Sequence, residues 1–377
     1  MDNLTHSLVG LAAAKAGLER RTPYAAFVCV AAANLPDADI VALVKGPAFY
    51  LAHHRGITHS LVGTFVLALA FPVLFYAAER LWARLRGREP RARLAGLLAC
   101  SLLLSATHPL LDWTNSYGLR PFLPWDGRWI YGDILFIVDP WVWLVLGAAC
   151  FLLTATTRVR ASAWGMLAVL LTLLFIYASR RPEAGAPAWA PFVWAAGLAA
   201  VFVMYLKGLG RRFGGAVAAT ALALVAAYCG ALVLVRSQAH ASAELFARGL
   251  AERSAGRVLR VAATPVLADP LTWRCIADAE HAFFRYDLRL ADSRPEDLRN
   301  VARFEKPAGE EREVFERAAG DANARVLLGF ARFPAARVVR GARGGWVVQF
   351  ADLRYAEPGD GGRPGGFALE VPVAAAP

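Results

Sequence analysis

The sequence has no CxxC pair. Its five cysteines, Cys29, Cys100, Cys150, Cys229 and Cys275, stand singly, four of them in apolar stretches. That excludes a disulfide framework and a cysteine-type zinc site. A basic leader is missing too: the chain opens Met1-Asp2-Asn3, so no cleaved signal peptide is expected. Charge is scarce, 19% of residues against about 25% in soluble domains. The scarcity is uneven. Residues 1–235 carry 20 basic and 11 acidic side chains, and residues 236–377 carry 21 and 19. The basic excess therefore belongs to the apolar part, and no basic cluster marks a soluble face, which argues against a nucleic-acid partner.

What is present is apolar surface. The chain is 57% hydrophobic over 377 residues, with a mean hydropathy of +0.40, too apolar for an ordinary soluble protein of this length. Eight apolar helical segments are expected, near 5–18, 23–35, 59–79, 94–111, 134–153, 163–178, 189–206 and 214–235. Several approach the ~20 residues that cross a bilayer; the first two are short and either tilt or re-enter. The fold class expected is mainly α: a polytopic helical membrane domain over 1–235, followed by a small α+β soluble domain over 236–377. The second domain alternates at Val258–Val261, His281–Leu290, Gly345–Tyr355 and Phe367–Val373, reads as helical over 311–330, and has a Gly/Asp/Pro-rich loop at 356–366. His240 and His281 stand alone in it.

Charge placement orients the segments. One set of connections holds Lys15, Arg20 and Arg21, six arginines from Arg80 to Arg93, Arg158 and Arg160, and Lys207, Arg211 and Arg212. The alternate set holds only Lys45, Arg55, Arg120, Arg128, Arg180 and Arg181. The first set is assigned to the cytoplasm. The expected location is the inner membrane, multi-pass, with both the N-terminus and the C-terminal domain extracytoplasmic.

Histidines and aspartates then gather on the outer face. Five of seven histidines fall in the first 108 residues: His6, His53, His54, His59 and His108. Asp2, Asp37, Asp39 and Asp112 accompany them. A hexapeptide recurs, Thr5-His6-Ser7-Leu8-Val9-Gly10 and Thr58-His59-Ser60-Leu61-Val62-Gly63, with a shorter echo at Thr107-His108-Pro109-Leu110. The threonine beside each histidine either caps a helix start or orients the imidazole. His108 and Asp112 are four apart, on one helical face, and Pro109 between them sits in a first turn or kinks the helix. Ionisable groups at membrane-embedded helix ends are costly and usually functional. Asp37 and Asp39 follow the helix-ending Pro36; a solvated turn is the plainer reading of that pair. Of the three clustered histidines, His54 and His59 are the expected ligands and His53 a solvated neighbour. Arg55 is the expected clamp for an anionic substrate group. Further along, Trp125, Trp129 and Trp141 fit an interfacial belt, and Asn115, Asp133 and Asp139 are further polar candidates around a site.

The metal ligands expected are thus His6, Asp37, Asp39, His54, His59, His108 and Asp112, with Asp37, Arg55 and Asp112 as the catalytic groups. Nitrogen and oxygen donors without sulfur suit Zn²⁺ or Mn²⁺, and so many candidates suggest two metals and hydrolysis by a metal-activated water. The alternatives are a divalent-metal transporter or sensor with the same ligands, or a regulatory membrane interaction protein with a vestigial site. The partners expected are membrane lipids and a small-molecule or lipid substrate; oligomeric state is open.

At these residues the sequence resembles a family. The runs Asp2-Asn3-Leu4-Thr5-His6, Leu35-Pro36-Asp37-Ala38-Asp39, His54-Arg55-Gly56-Ile57-Thr58-His59-Ser60, and Thr107-His108 with Asp112 look like the bacterial membrane-bound, metal-dependent hydrolases, also described as LexA-binding, inner-membrane-associated hydrolases. The resemblance spans roughly residues 1–150, including Asp139-Pro140-Trp141. Pro270 and Trp273 fit, more loosely, the appended C-terminal domain of many members. It implies hydrolase activity and metal dependence. A more distant similarity runs to zinc-dependent phospholipase C, through the HxxxD of His108 and Asp112 with Asp37 and His59. It implies phosphoester or phospholipid hydrolysis, although this chain has no second HxxxE-type helix for a three-metal site.

Overall fold

The apolar runs become helices in the computed structural model, which describes residues 1–252, 256–291, 299–341, 344–360 and 366–374. By contact the chain divides into two units. The first comprises Met1–Ala38, Arg55–Val233 and Val266–Pro270; the second comprises Asp39–His54, Leu234–Pro265 and Leu271–Pro377.

In the first unit the helices are α1 (Asn3–Lys15) and α2 (Ala25–Asn34), then, beyond α3 (Pro47–His53) of the second unit, α4 (Leu61–Leu85), α5 (Leu94–Trp113), α6 (Pro140–Thr154), α7 (Arg158–Ser179), α8 (Ala190–Leu206), α9 (Leu209–Phe213) and the start of α10 (Gly215–Glu252). Helices α1, α2 and α5 pack together through small residues: Ala12, Ala14, Ala25, Ala32 and Ala33 are buried, and Leu97, Cys100 and Leu104 fill between them. Small side chains let helix backbones approach closely, the usual device where lipid removes the hydrophobic drive between helices. The outward faces stay apolar, with Leu61, Phe65 and Leu74 of α4 and Met166, Val169 and Leu170 of α7 all exposed. That reversal suits helices solvated by lipid rather than water.

Each of the eight expected segments is largely helical, and among the described residues five stretches are long and apolar enough to cross a membrane: Ala25–Lys45, Leu61–Leu85, Leu94–Trp113, Arg158–Ser179 and Gly215–Glu252. Helices α6 and α8 are shorter apolar helices, and α1 has 13 residues, about 20 Å at 1.5 Å per residue. The segment expected over 134–153 starts only at Pro140, which occupies the first helical turn under the Asp139 cap. Helix α10 runs past the expected end at 235 to Glu252, because beyond Arg236 the helical period continues with polar residues.

Among the described residues seven strands lie wholly or mostly in the second unit. A four-stranded sheet runs in the order β1 (Val258–Val266), β2 (Asp269–Ala279), β3 (Ala282–Arg289), β4 (Arg299–Glu305). A three-stranded sheet of β5 (Pro334–Arg340), β6 (Trp346–Asp352) and β7 (Ala368–Val373) follows α11 (Glu310–Ala319) and α12 (Ala322–Phe330). The pairs β2/β3, β3/β4, β5/β6 and β6/β7 are antiparallel. The core of the first sheet is Trp273, Cys275 and Tyr286, each fully buried, closed by the last turns of α10, where the Tyr286 hydroxyl donates to the Ala243 carbonyl (2.6 Å). The single helix expected over 311–330 is two, since Asp321 accepts from the backbone N–H groups of Asn323 and Ala324 and caps a new one. Residues 361–365 of the expected loop lie outside the described residues.

Candidate metal centre

The site grows from four local structures in the first unit. Asp2 caps α1: its carboxylate accepts from the Thr5 backbone N–H (3.0 Å) and hydroxyl (2.6 Å), and the Trp143 indole donates to it (3.1 Å). This fixes His6 on the first turn, where it is fully buried. A 3₁₀ segment, Leu35–Lys45, follows α2 and carries Asp37. A 3₁₀ turn, Ile57–His59, precedes α4. The end of α5 presents His108 and Asp112 one turn apart, with Pro109 inside the helix.

Four of these side chains converge. Asp37, His59, His108 and Asp112 each offer a ligand atom, all within 4.8 Å of one another. The Nε2 atoms of His59 and His108 are 3.1 Å apart. Asp37 Oδ1 lies 3.3 Å and 3.5 Å from them, and Asp112 Oδ2 3.3 Å and 3.4 Å. The tautomer of His108 is set by its other nitrogen: Nδ1 donates to the Ala33 carbonyl (2.6 Å), so Nε2 turns a lone pair into the cluster. His59 Nδ1 is held by the Thr58 hydroxyl (3.0 Å). Two imidazole nitrogens and two carboxylates thus point inward with only 0–1% exposure of every side chain but Asp37, at 15%. Such a set of acceptors repels itself unless a cation or protons lie between them. The hydrogen bonds behind the histidines are the outer support a metal ligand has.

His6 stands beside this group. Its ring stacks on His108 at 3.9 Å and 15°, and Nε2 is 3.4 Å from Asp112 Oδ1. Neither ring nitrogen has a hydrogen-bond partner among the described residues. Leaving a buried imidazole unmatched costs about 1–3 kcal/mol, and a bound cation or water would relieve that. Asp112 therefore has two unlike sides. Its Oδ2 looks at His59 and His108; its Oδ1 receives Arg55 Nη2 (3.0 Å) and the Met1 amino group.

Arg55, expected as a substrate clamp, is turned onto Asp112. It has a left-handed φ of 52° and is 2% exposed. Besides Asp112, it donates through Nη1 to Asn115 Oδ1 (2.9 Å) and the Gly118 carbonyl (3.3 Å), and its guanidinium lies 4.7 Å over the Tyr117 ring. Those contacts aim it at Asp112. Asp39 and His54, expected as ligands, hydrogen-bond each other (2.9 Å) within the second unit. His53 is exposed and stacked on Phe49, as a solvated neighbour would be. Asp139 caps α6 through Trp141 and Val142 N–H groups and accepts from the Tyr228 hydroxyl (3.2 Å). Burial pushes its carboxyl up to about 6. Trp125 is 78% exposed, Trp129 carries the Arg120 guanidinium and Trp141 stacks on Trp189. Asn3 and Tyr117 were not singled out by the sequence. Asn3 Nδ2 donates to Asp37 Oδ2 (2.9 Å), and its place in the Asp2–His6 run was the available signal.

Comparison with known proteins agrees with the membrane reading. The chain is 25% identical over 152 residues to an uncharacterized Bacillus subtilis protein, YfhP, covering 38% of this chain and 43% of that one. It is 29% identical over 161 residues to the Escherichia coli inner membrane protein YbcI, covering 41% and 78%. The chain thus spans less than half the length of the Bacillus relative. No solved structure matches. Residues 1–182 match the sequence profile of the family described as YdjM inner membrane protein, and with its long apolar helices the chain is an inner-membrane, multi-pass protein.

Proposed function

We propose that the first unit is a metal-dependent hydrolase acting on a phosphoester or lipid-like substrate, with one divalent cation, zinc or manganese, held by Asp37, His59, His108 and Asp112. The supporting observation is the inward convergence of four acceptor side chains, with the tautomer of His108 fixed from behind. His6, with both nitrogens unmatched, is a further donor next to the four. One cation fits better than two, because the Oδ1 side of Asp112 already faces the Arg55 guanidinium, and a second cation there would meet like charge.

The cation, when bound, supplies charge that polarises a phosphoryl oxygen and makes water more acidic. The protein's own groups do the rest. Arg55 holds Asp112 in register through its bond to Oδ1. Thr58 and the Ala33 carbonyl orient the two imidazoles. Asp37 is the cluster's least buried member and is steadied by Asn3, which puts its carboxylate on the side from which water reaches the cation. The C-terminal unit lies on the extracytoplasmic side in this reading, from the placement of the arginines.

Metal analysis of the purified full chain tests the metal step, and a phosphoester and phospholipid screen with each cation tests the chemistry. Near-stoichiometric metal is expected in the wild type, with loss of metal in His108→Ala and Asp112→Ala variants that still insert. Full occupancy in both variants rejects the centre. A metal-loaded protein that hydrolyses none of these substrates rejects the hydrolase reading and leaves a binding protein.

A further inference from the structure

The segment between Asp37 and α3 is built inside out for water. In the 3₁₀ segment Leu35–Lys45, the carboxylate residue Asp39 is turned inward at 8% exposure, while Ile40, Val41, Leu43 and Val44 are 53%, 70%, 48% and 91% exposed. Single exposed aliphatic residues are ordinary, but a run of them with its charge buried is not. Asp39 is occupied by His54 (2.9 Å), so the burial of the charge is built and not incidental.

The surroundings say what covers the aliphatic run. It continues directly from α2: Ala25–Lys45 is one stretch of 21 residues with mean hydropathy 1.7. Helix α2 alone has 10 residues, about 15 Å of rise, half the hydrocarbon core, and the α-helix gives way at Leu35-Pro36. The run ends at Lys45, whose ammonium lies 4.8 Å over the Phe49 ring, the lysine–aromatic pairing that marks the head-group level of a bilayer. On the far side of Lys45, α3 packs against α12 within the second unit, so that side already has its protein partner.

We propose that residues 40–44 insert into the bilayer interface, covered by lipid acyl chains. This sets the stretch that begins at Asp37 at head-group depth rather than in an aqueous loop. The inference rests on the membrane character of the chain and not on the hydrolase reading, so either can fail alone.

The test is photo-cross-linking of the full chain in native membranes, with Val44→p-benzoylphenylalanine and, as a second variant, Val41→p-benzoylphenylalanine. The same probe at Phe65 on α4, 57% exposed, is the lipid-facing reference, and at Glu311 on α11, exposed on the second unit, the aqueous one. Intact-mass analysis is expected to show an added phospholipid at positions 44 and 41, as at 65, and none at 311. Phospholipid adducts at 65 but at neither 41 nor 44 would overturn the proposal. Cross-linking of 41 and 44 to a second copy of the chain would overturn it as well, assigning the run to a protein interface.

Discussion

The two copies of Thr-His-Ser-Leu-Val-Gly share six residues and do different things with four of them. In the first copy, Thr5 and His6 lie inside α1, Thr5 is tied to the Asp2 cap, and His6 stacks on His108, its ring nitrogens without a hydrogen-bond partner among the described residues. In the second, Thr58 and His59 lie in a 3₁₀ turn ahead of the helix, Thr58 holds the imidazole, and Ser60 becomes the helix cap by accepting from the Gly63 N–H (3.0 Å). Of the two readings of the threonine, imidazole support is realised by Thr58, while in the first copy the cap is Asp2 and Thr5 only donates to it. What decides is the residue three ahead of the repeat. Asp2 takes the cap in the first copy and pulls threonine and histidine into the helix. In the second, Arg55 stands at that position and has no acceptor to cap with, so the cap falls to Ser60 and the helix starts later.

The glycines are where the copies should differ most. A Cβ on Gly63 would sit 1.7 Å from the Ile57 carbonyl oxygen, while one on Gly10 would sit 2.7 Å from the Cys29 carbonyl oxygen and 2.8 Å from the Val30 Cα. Both substitutions to alanine overpack, but the first drives into the turn carrying His59. Gly63→Ala is expected to lose about 3 kcal/mol or more, and Gly10→Ala about 1–3 kcal/mol. Thermal unfolding in detergent checks this, and equal losses would mean the turn yields freely.

The histidines come next. His59 belongs to the convergent four and His6 does not. Removing His59 is expected to lower metal affinity by at least about 100-fold, and removing His6 by about 10-fold, the lower end of what supporting groups contribute. Titration of the metal-free protein with Zn²⁺ reads both. A larger loss for His6→Ala would move the cation to the Oδ1 side of Asp112.

Much of this centre was legible in the chain. The repeat, the HxxxD spacing and the proline before Asp37 located His59, His108, Asp112 and Asp37, because each depends on local periodicity. Arg55 was legible as important but not in its role. Nothing in the sequence says that Asn115 and Gly118, some sixty residues on, would receive its guanidinium. Asp39 and His54 were legible as ligand candidates because they adjoin ligands; they hydrogen-bond each other, and each still offers an atom that could hold a cation. Strand β2 was missed for a different reason. Its residues do not alternate, since Cys275 to Ala279 are buried in succession, and a period of two is absent from a strand covered on both faces.

The hydroxyls give the finest comparison. Thr58→Val removes the support of His59 Nδ1 and is expected to lower metal affinity about 10-fold, while Thr5→Val loses its bond to Asp2 and shows in stability, about 1 kcal/mol, with affinity unchanged. Smallest is the serine pair. Ser60→Ala strips the cap of α4 and should lose about 1 kcal/mol. Ser7 is within its helix, donating to the Asn3 carbonyl (2.7 Å) and accepting from Asn34 (3.0 Å), and its replacement should stay within about 0.5 kcal/mol. Unfolding midpoints of the two alanine variants measure the difference. If Ser7→Ala proved the more damaging, Asn34 would be the group tying α1 to the end of α2, and the identity of the two serines would reflect two structural duties of similar weight.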